Sequence, residues 1–363
     1  ACGPPIGDPT NTGSPGIFLQ SIGTPELGPQ GVSNPWTWTA PDGTGSFVIR
    51  ARAPETQHQD RLCYTLVDVN VGGETWVGPG DSPEDWGATC LSCAHRVQLG
   101  HGSGLFSFPN SGEALPPGPV EVTGKVALRD CASRLPVDSA VDGALPESVI
   151  VEVGSLLTPR EDAVGELPVA LMFASKVAFS QQDLEDSGLW TEGLLLASQV
   201  LSQAGLSVTL SQVVQLTPPG ESPVEFGPGN RGALDALYQE GSEQLKPHQI
   251  PVFLLPCLER YDPIHGQRDS LNAHVPRIPG GASLGGVADG VFITVETCGL
   301  GDPEALWTDA TALGHLLAHE LAHYLGLYHA LEESGLTDAI EDSEPTATLM
   351  HWDLESEGGV ELS

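Results

Sequence analysis

The segment from His319 to His329 constrains this chain more than any other feature, because it has the spacing His-Glu-x-x-His-x-x-Gly-x-x-His. His319 and His323 lie four residues apart, so on a helix both imidazoles project from one face toward a common point. Gly326 has the conformational freedom to end that helix in a left-handed turn, which would return His329 to the same point. Three converging imidazoles are the ligands of a tetrahedral zinc ion with one open position. The spacing therefore predicts a zinc site; a helix with three unrelated histidines is the alternative.

Glu320 directly follows the first predicted ligand, where its carboxylate is within reach of a water on the metal. This placement predicts a general base, which takes a proton from the attacking water and delivers it to the leaving nitrogen. His315 extends the row of histidines by one turn, but it lies about 6 Å further along the helix axis than His319. An ion that binds its ligands at about 2 Å does not span that distance, so we expect His315 to be a packing residue or to contact a ligand without binding the ion.

The zinc motif resembles that of the metzincin clan of zinc endopeptidases, in which a methionine turn lies beneath the metal. Met350, one of two methionines in the chain, lies within residues 348–352, about twenty residues after the third histidine. The resemblance implies an α+β metzincin catalytic domain with a mixed twisted sheet, a zinc helix and a Met-turn at Met350. It also implies that the substrates are proteins or peptides.

A closer likeness is to the secreted metzincins of myxobacteria and related bacteria, which place a β-rich domain before the protease. This likeness rests on residues 278–291, on residues 349–352 and on the overall order of segments. In the family, the region corresponding to Gly280 to Gly290 and the strand Val291 to Glu296 holds the antiparallel edge strand that pairs with an extended substrate. A phosphate-binding loop is the competing interpretation, but no Lys follows these glycines and no helix opens directly after them.

The length of 363 residues predicts two domains, and 44 glycines, 31 prolines and only 17% charged residues favour β structure with long ordered loops. Residues 1–15, rich in Pro and Gly, are predicted to be a flexible stalk. Residues 16–135 contain alternating strands bounded by Gly and Pro, which predict an all-β, sandwich-like domain. Residues 136–166 are rich in Pro, Gly and acidic residues and are predicted to be a linker. Residues 167–363 would then form the peptidase domain.

Within the predicted peptidase domain, apolar patterning gives the order strand, helix, strand, helix, strand before the zinc helix. The predicted elements are a strand from Leu167, a helix Leu189 to Ala204, a strand from Val208, a helix Ala233 to Leu245 and a strand Ile250 to Leu258. Two helix-start signals precede the zinc ligands, at Asp302-Pro303 and at Thr308-Asp309.

Seven cysteines without a cytosolic-type cluster favour disulfides, and hence an extracellular or bacterial cell-surface location. Cys257 and Cys298 are the only cysteines after the predicted linker, so we predict that they pair. The pairing of the earlier cysteines stays open; these are Cys63, Cys90, Cys93 and Cys131. Cys2, in Ala-Cys-Gly, resembles the lipid-modified cysteine at the start of a bacterial lipoprotein, and a removable or unpaired cysteine is the alternative.

The net charge of −34 is unevenly distributed, since residues 278–363 contain sixteen Asp and Glu and no Lys or Arg. Such a surface repels nucleic acid and anionic membranes, which excludes nucleic acid as an expected partner. A solvated acidic coat is one interpretation, and electrostatic steering of cationic partners is the other.

Six of these carboxylates lie between His329 and Met350. Asp338, Glu341 and Asp342 resemble loops that hold calcium in related metzincins, so Ca²⁺ is a second predicted ion. If the carboxylates face the cleft instead, cleavage should favour Lys or Arg near the scissile bond, with a preference that weakens as salt rises.

These features predict a secreted, zinc-dependent endopeptidase. Two alternatives stay open: a catalytically weak surface-binding protein, and a zinc hydrolase of a non-protein substrate. The presence of Glu320 disfavours the first alternative, and the third histidine disfavours the second. The role of the β domain is also open among substrate or surface binding, structural support and inhibition as a pro-domain.

Overall fold

The computed structural model describes most of the region from residue 19 to residue 329. The described residues are 19–54, 62–78, 95–110, 114–137, 145–157, 164–174, 182, 186, 188–216, 223–227, 232–246, 248–262, 266–281, 289–295, 298 and 309–329. Within them the chain is mostly β-sheet with few helices, arranged as a first unit over residues 19–157 and a second unit over residues 164–329.

The first unit consists of antiparallel strands. In its described part these are β1 (Gln20–Gly23), β2 (Trp36–Ala40), β3 (Thr44–Arg52), β4 (Leu62–Val71), β5 (Glu74–Val77), β6 (Gly100–His101), β7 (Ser103–Phe108), β8 (Val120–Asp130) and β9 (Ile150–Leu157). One sheet has the strand order β1-β9-β3-β7; the other has the order β2-β8-β4-β5, with β6 also paired to β4. Apolar residues of both sheets, including Phe47, Tyr64 and Phe108, share one core. Two sheets around one core form a sandwich.

Strand β9 lies within the residues predicted to be a linker, so that part of the prediction is wrong. It occupies an interior position in its sheet, paired with β1 on one side and β3 on the other. Glu152 of β9 binds Arg50 and Arg52 of β3, with N–O distances of 2.6 and 3.2 Å. The two arginines neutralise Glu152 across the strands. The composition of residues 136–166 does not reveal these partners, because they lie in β3. The sandwich therefore continues to Leu157 rather than ending near residue 135.

The second unit alternates strands and helices. Its described elements are β10 (Gly165–Phe173), α1 (Leu189–Leu201), a 3-10 turn (Ser202–Ala204), β11 (Leu206–Gln215), β12 (Val224–Phe226), α2 (Gly232–Ser242), β13 (Ile250–Leu255), β14 (Leu258–Asp262), β15 (Gln267–Leu271), β16 (Ala273–His274), β17 (Val291–Thr294) and α3 (Ala310–Leu325). The strand-helix-strand-helix-strand order predicted before the last helix is confirmed, with boundaries shifted by a few residues.

The main sheet of this unit has the order β11-β10-β13-β17-β16. The first four strands are parallel and only β16 is antiparallel. Helices α1 and α3 pack together over one face, in a core that includes Trp190, Leu201 and Leu317. Helix α2 covers the other face together with β12 and β14, which belong to a small second sheet of order β12-β14-β15. Helices on both faces bury the interior strands β13 and β17 completely, whereas the outer parallel strand β11 stays partly exposed.

Two disulfides lie within the described residues. Cys63 in β4 is bonded to Cys131 after β8, and Cys257 before β14 is bonded to Cys298. Disulfides persist in oxidising environments, which agrees with the location predicted from the cysteine content. Cys2, Cys90 and Cys93 lie outside the described residues. None of the helices in the described part of the chain has both the length and the apolar character that a membrane crossing requires.

Candidate metal centre

Helix α3 carries two of the three candidate ligands and has a well-defined start. The Asp309 side chain accepts a hydrogen bond from the backbone N–H of Thr311 at 2.8 Å, which caps the helix at its first turn. This start matches the signal at Thr308-Asp309, whereas Asp302-Pro303 lies outside the described residues. The cap fixes where the helix begins, and thereby the position of every side chain along it.

The apolar face of α3 holds it against the core. Leu313, Leu317 and Leu321 are fully buried there, whereas Leu325, at the end of the helix, is 40% exposed. His319 and His323 are also buried, and their ring centroids lie 4.6 Å apart. The two imidazoles are therefore held one helical turn apart by a packed helix rather than by a loop.

Gly326 ends the helix and turns the chain back. Its φ of 114° and ψ of 5° lie in the region that favours glycine, and its N–H donates to the carbonyl of His323 at 2.9 Å. The next residue, Leu327, donates its N–H to the carbonyl of Ala322 at 3.0 Å, which completes a Schellman motif. Three residues after Gly326, His329 has returned to the two helical histidines. The turn predicted from the sequence is present.

The three histidines bring their Nε2 atoms together. The Nε2 atom of His329 lies 3.0 Å from that of His323 and 3.3 Å from that of His319. Four ligands at 2.0–2.1 Å around a tetrahedral zinc ion lie about 3.3 Å from one another, so the spacing fits this ion. Among the described residues, these histidines form a group able to hold a metal ion. His315 is not a member of that group.

The hydrogen bonding of His323 also suits a ligand. Its Nδ1 lies 2.8 Å from the carbonyl oxygen of Leu327, an acceptor, so Nδ1 carries the proton and Nε2 keeps its lone pair. Burial, followed by the proximity of His319 and His329, holds the pKa of His323 well below its usual value. The ring is therefore neutral at pH 7, as a metal ligand must be.

Glu320 is 6% exposed and lies beside His319 in the chain. Burial raises the pKa of its carboxyl group to about 8. A nearby divalent cation would favour the charged form and oppose that shift. A carboxyl group under these two opposing influences is able to exchange a proton near neutral pH, as a general base requires.

The last turn of α3 is braced by the glycine-rich stretch. Gly280 donates its N–H to the carbonyl of Tyr324 at 2.8 Å, and a Cβ at position 280 would collide with the Tyr324 ring. Asp289, which is 1% exposed, accepts the N–H of Gly281 at 3.0 Å and the hydroxyl of Tyr324 at 3.3 Å. These contacts fix the helix end that carries His323.

The region predicted to hold the edge strand is described only in part, because residues 282–288 lie outside the described residues. The strand Val291–Thr294 is not the antiparallel edge: it is an interior strand, parallel to β13. The antiparallel strand next to it is Ala273–His274, which ends the sheet in its described part. Val291 to Thr294 are all fully or almost fully buried, a pattern typical of an interior parallel strand. His274 lies close enough to His323 to lower its pKa, so this edge is near the metal site.

Several residues singled out from the sequence lie outside the described part of the chain. Met350 and the three candidate calcium ligands are among them, as is Cys2; the calcium ligands are Asp338, Glu341 and Asp342. Their roles stay predictions. Cys257 and Cys298, which were predicted to pair, are disulfide-bonded.

Sequence reasoning missed several residues around the site. Asp289 and His274 carry no motif and are separated from the ligands by 30 residues or more. Arg96 is the most distant, since its Nη1 donates to the carbonyl of His329 at 3.3 Å across a sequence separation of 233 residues. No local signal in the sequence indicates such a contact.

Comparisons with known proteins do not identify a family. No protein-family model matches the chain, and no curated protein matches it significantly. Among solved structures, metalloproteinase-II from Bacteroides fragilis has 11% identity and a TM-score of 0.27, over 56% of this chain and 60% of that one.

Two further structures show similarly weak likeness. A chaperone-substrate complex has 13% identity and a TM-score of 0.30, over 55% of this chain and 32% of that one. The CBM36-1 domain of a multidomain xylanase from the hindgut metagenome of Trinervitermes trinervoides has 9% identity and a TM-score of 0.19, over 40% of this chain and 93% of that one. The chain spans less than two thirds of the metalloproteinase and of the chaperone-complex chain. At these TM-scores a common fold does not follow.

Proposed function

We propose that this protein is a zinc-dependent endopeptidase of the metzincin type, which acts in an oxidising, extracellular or cell-surface environment. The observation that carries the proposal is the convergence of three imidazole Nε2 atoms at 3.0 and 3.3 Å, next to a buried glutamate. His319, His323 and His329 would hold the ion, and Glu320 would be the catalytic base. Three histidines leave the fourth position of a tetrahedral ion open, as a catalytic site requires.

Zinc at this site would supply Lewis-acid chemistry, polarising a carbonyl oxygen and lowering the pKa of water. Glu320 then has two tasks: its carboxylate accepts a proton from the attacking water, and the resulting acid returns that proton to the leaving nitrogen. The burial of Glu320 serves both tasks, because it makes the protonated form accessible near neutral pH. The fixed tautomer of His323 keeps its Nε2 aimed at the metal position.

The edge of the main sheet supports a peptide as the substrate. Strand β16 is terminal in the described part of the sheet, and α3 packs against both β16 and β17. A peptide in extended conformation would add to such an edge through its backbone hydrogen bonds. Because His274 of β16 influences the pKa of His323, a strand added there would pass near the metal.

The test combines metal analysis with digestion of a peptide library. The wild-type chain should bind one zinc ion and cleave peptides, and a chelator should abolish cleavage. Glu320→Gln should bind zinc as tightly as the wild type but lose activity by about 10²–10⁴-fold, because an amide does not accept the proton. His315→Gln is the matched control, since His315 lies on the same helix outside the ligand group; it should retain activity.

Other results would point to the alternative functions. Zinc binding without cleavage of any peptide, together with hydrolysis of a non-peptide ester or amide, would indicate a different zinc hydrolase. Zinc binding without any hydrolysis would favour a surface-binding protein. Activity of Glu320→Gln within tenfold of the wild type would rule out Glu320 as the base.

A further inference from the structure

The first unit contacts the second at the residues that build the metal site. We call residues 95–110 of the sandwich the 95–110 segment. Gln98 accepts the N–H of Ile278 on its Oε1 at 2.8 Å, and the carbonyl of His101 accepts from Arg277 Nη2 at 3.1 Å. Arg277 and Ile278 lie three and two residues before Gly280, whose N–H braces the last turn of α3. The 95–110 segment therefore contacts the chain just before the glycines that stabilise the last turn of α3.

A third contact reaches a ligand residue itself. Arg96 Nη1 donates to the backbone carbonyl of His329 at 3.3 Å, and the Arg96 side chain is nearly fully buried. A Cβ at Gly326 would also meet Ser107 Oγ of β7, at 2.9 Å. The turn from Gly326 to His329 thus lies directly against the sandwich.

Arg96 is itself held firmly. Its backbone N–H donates to Asn110 Oδ1 at 3.1 Å, and its carbonyl accepts from Asn110 Nδ2 at 2.7 Å. The neighbouring His95 stacks on Trp76 with ring centroids 4.1 Å apart, and its Nδ1 accepts the N–H of Asn110 at 3.2 Å. Trp76 belongs to the sandwich core, so Arg96 projects from a rigid base.

The chemistry favours a positioning role for this arginine. The chain has only 14 Lys and Arg, and burying a guanidinium is costly unless it is hydrogen-bonded. Of the buried arginines in the described residues (Arg96, Arg129 and Arg277), two donate from one unit to a backbone carbonyl of the other. His329 is the one candidate ligand outside α3, so its position depends on what holds the turn.

We propose that Arg96 is a positioning residue for the third metal ligand, and that the sandwich is thereby a structural part of the metal site. This inference rests on the metal site of the proposed function. By fixing the carbonyl of His329, Arg96 limits the freedom of that residue before the ion binds. Loss of a hydrogen bond that orients a ligand typically weakens metal affinity by 10–100-fold, and we expect about tenfold here.

The experiment compares zinc affinity among variants of the whole chain. The zinc Kd is measured on metal-free protein by competition with a chromogenic chelator, and Co²⁺ is bound in parallel to record its visible absorption. Arg96→Met removes the donors but keeps the apolar stem. Gln98→Ala is the matched control, because Gln98 contacts Ile278 in the same junction but does not contact a ligand residue.

The expected result is a zinc Kd about tenfold weaker for Arg96→Met and within twofold of the wild type for Gln98→Ala. The Co²⁺ absorption of Arg96→Met should also weaken, as expected when a tetrahedral site loses a well-placed ligand. Arg96→Lys, which keeps a positively charged donor group, should recover part of the affinity. If Arg96→Met does not fold, Arg96→Gln takes its place, since its shorter side chain does not reach the carbonyl; the same tenfold loss is expected.

Three results would overturn the proposal. An Arg96 variant that folds and binds zinc within twofold of the wild type would show that the contact does not position His329. Equal losses in Arg96→Met and Gln98→Ala would assign the effect to the junction as a whole. In both cases the wild-type zinc site, and with it the proposed function, would stand. A wild-type chain that binds no zinc would contradict both the positioning role of Arg96 and the proposed function.

Discussion

Replacing Gly326 with alanine tests the turn that brings His329 to the other two histidines. Gly326 has a φ of 114°, and a non-glycine residue held in such a conformation costs about 1–3 kcal/mol. The added Cβ would lie 2.9 Å from Ser107 Oγ, closer than normal contact, so the hydroxyl or the turn must move. Together these effects should lower the free energy of unfolding by about 2–4 kcal/mol.

Gly73→Ala is the matched control. Gly73 has a φ of 91°, but an added Cβ would meet nothing within 4 Å. Gly73→Ala therefore introduces the backbone strain without the steric contact, and it should lower the free energy of unfolding by only about 1–2 kcal/mol. Both free energies are measured by urea denaturation of the metal-free chain, and the zinc Kd is measured on the same samples.

The two measurements separate stability from ligand placement. Gly326→Ala should also weaken zinc binding by tenfold or more, because displacing the turn displaces His329, whereas Gly73→Ala should leave the zinc Kd unchanged. A loss of stability no larger than that of Gly73→Ala would refute the steric argument. Unchanged zinc affinity in Gly326→Ala would refute the role of the turn.

Three further predictions concern stability. Glu152→Gln should destabilise the chain by about 1–2 kcal/mol at pH 7. Burial raises the pKa of Glu152, but the hydrogen bonds and charges of Arg52 and Arg50 lower this pKa by more, so the folded chain favours the carboxylate. That difference should hold above about pH 4.5 and shrink as the pH falls through the lowered pKa; in urea titrations, a constant difference down to pH 3 would contradict the pairing. Asp309→Ala should cost about 1 kcal/mol through loss of the α3 cap, and no change in the unfolding midpoint would show that the cap is dispensable. Replacing Cys257 and Cys298 by serine opens a link across 41 residues and should cost about 2–4 kcal/mol; calorimetry showing an unchanged Tm under non-reducing conditions would argue against the disulfide.

The sequence predicts best the elements whose signals are local. Helix α1 was expected from Leu189 to Ala204 and is found from Leu189 to Leu201, followed by a 3-10 turn that ends at Ala204. Apolar residues at helical spacing and a glycine stop suffice for such an element. The ligand turn is equally local, because Gly326 alone determines where the helix ends.

The errors arise where partners distant in sequence decide the structure. Strand β9 carries an acidic residue that is acceptable only because Arg50 and Arg52 lie opposite it. These arginines are 102 and 100 residues from Glu152, so no window of sequence around β9 contains its partners.

In the region predicted to hold the edge strand, the described strand is interior for a different reason. Val291, Phe292 and Ile293 form an apolar run and Thr294 is buried with them, which is typical of a strand buried on both faces rather than of an edge. In the described part of the sheet the edge is Ala273–His274, which has only two residues in strand conformation, too few for a period-two pattern. The hydrogen bond from Arg96 to His329 has no sequence signature at all, because it links different units.

A crystal structure of the zinc-loaded chain, with anomalous data collected at the zinc absorption edge, tests the central claim most directly. The account predicts one strong anomalous peak at 2.0–2.1 Å from the Nε2 atoms of His319, His323 and His329, with a water or other exogenous ligand in the fourth position. A peak bound elsewhere, or a zinc ion held by the two helical histidines while His329 points away, would contradict it.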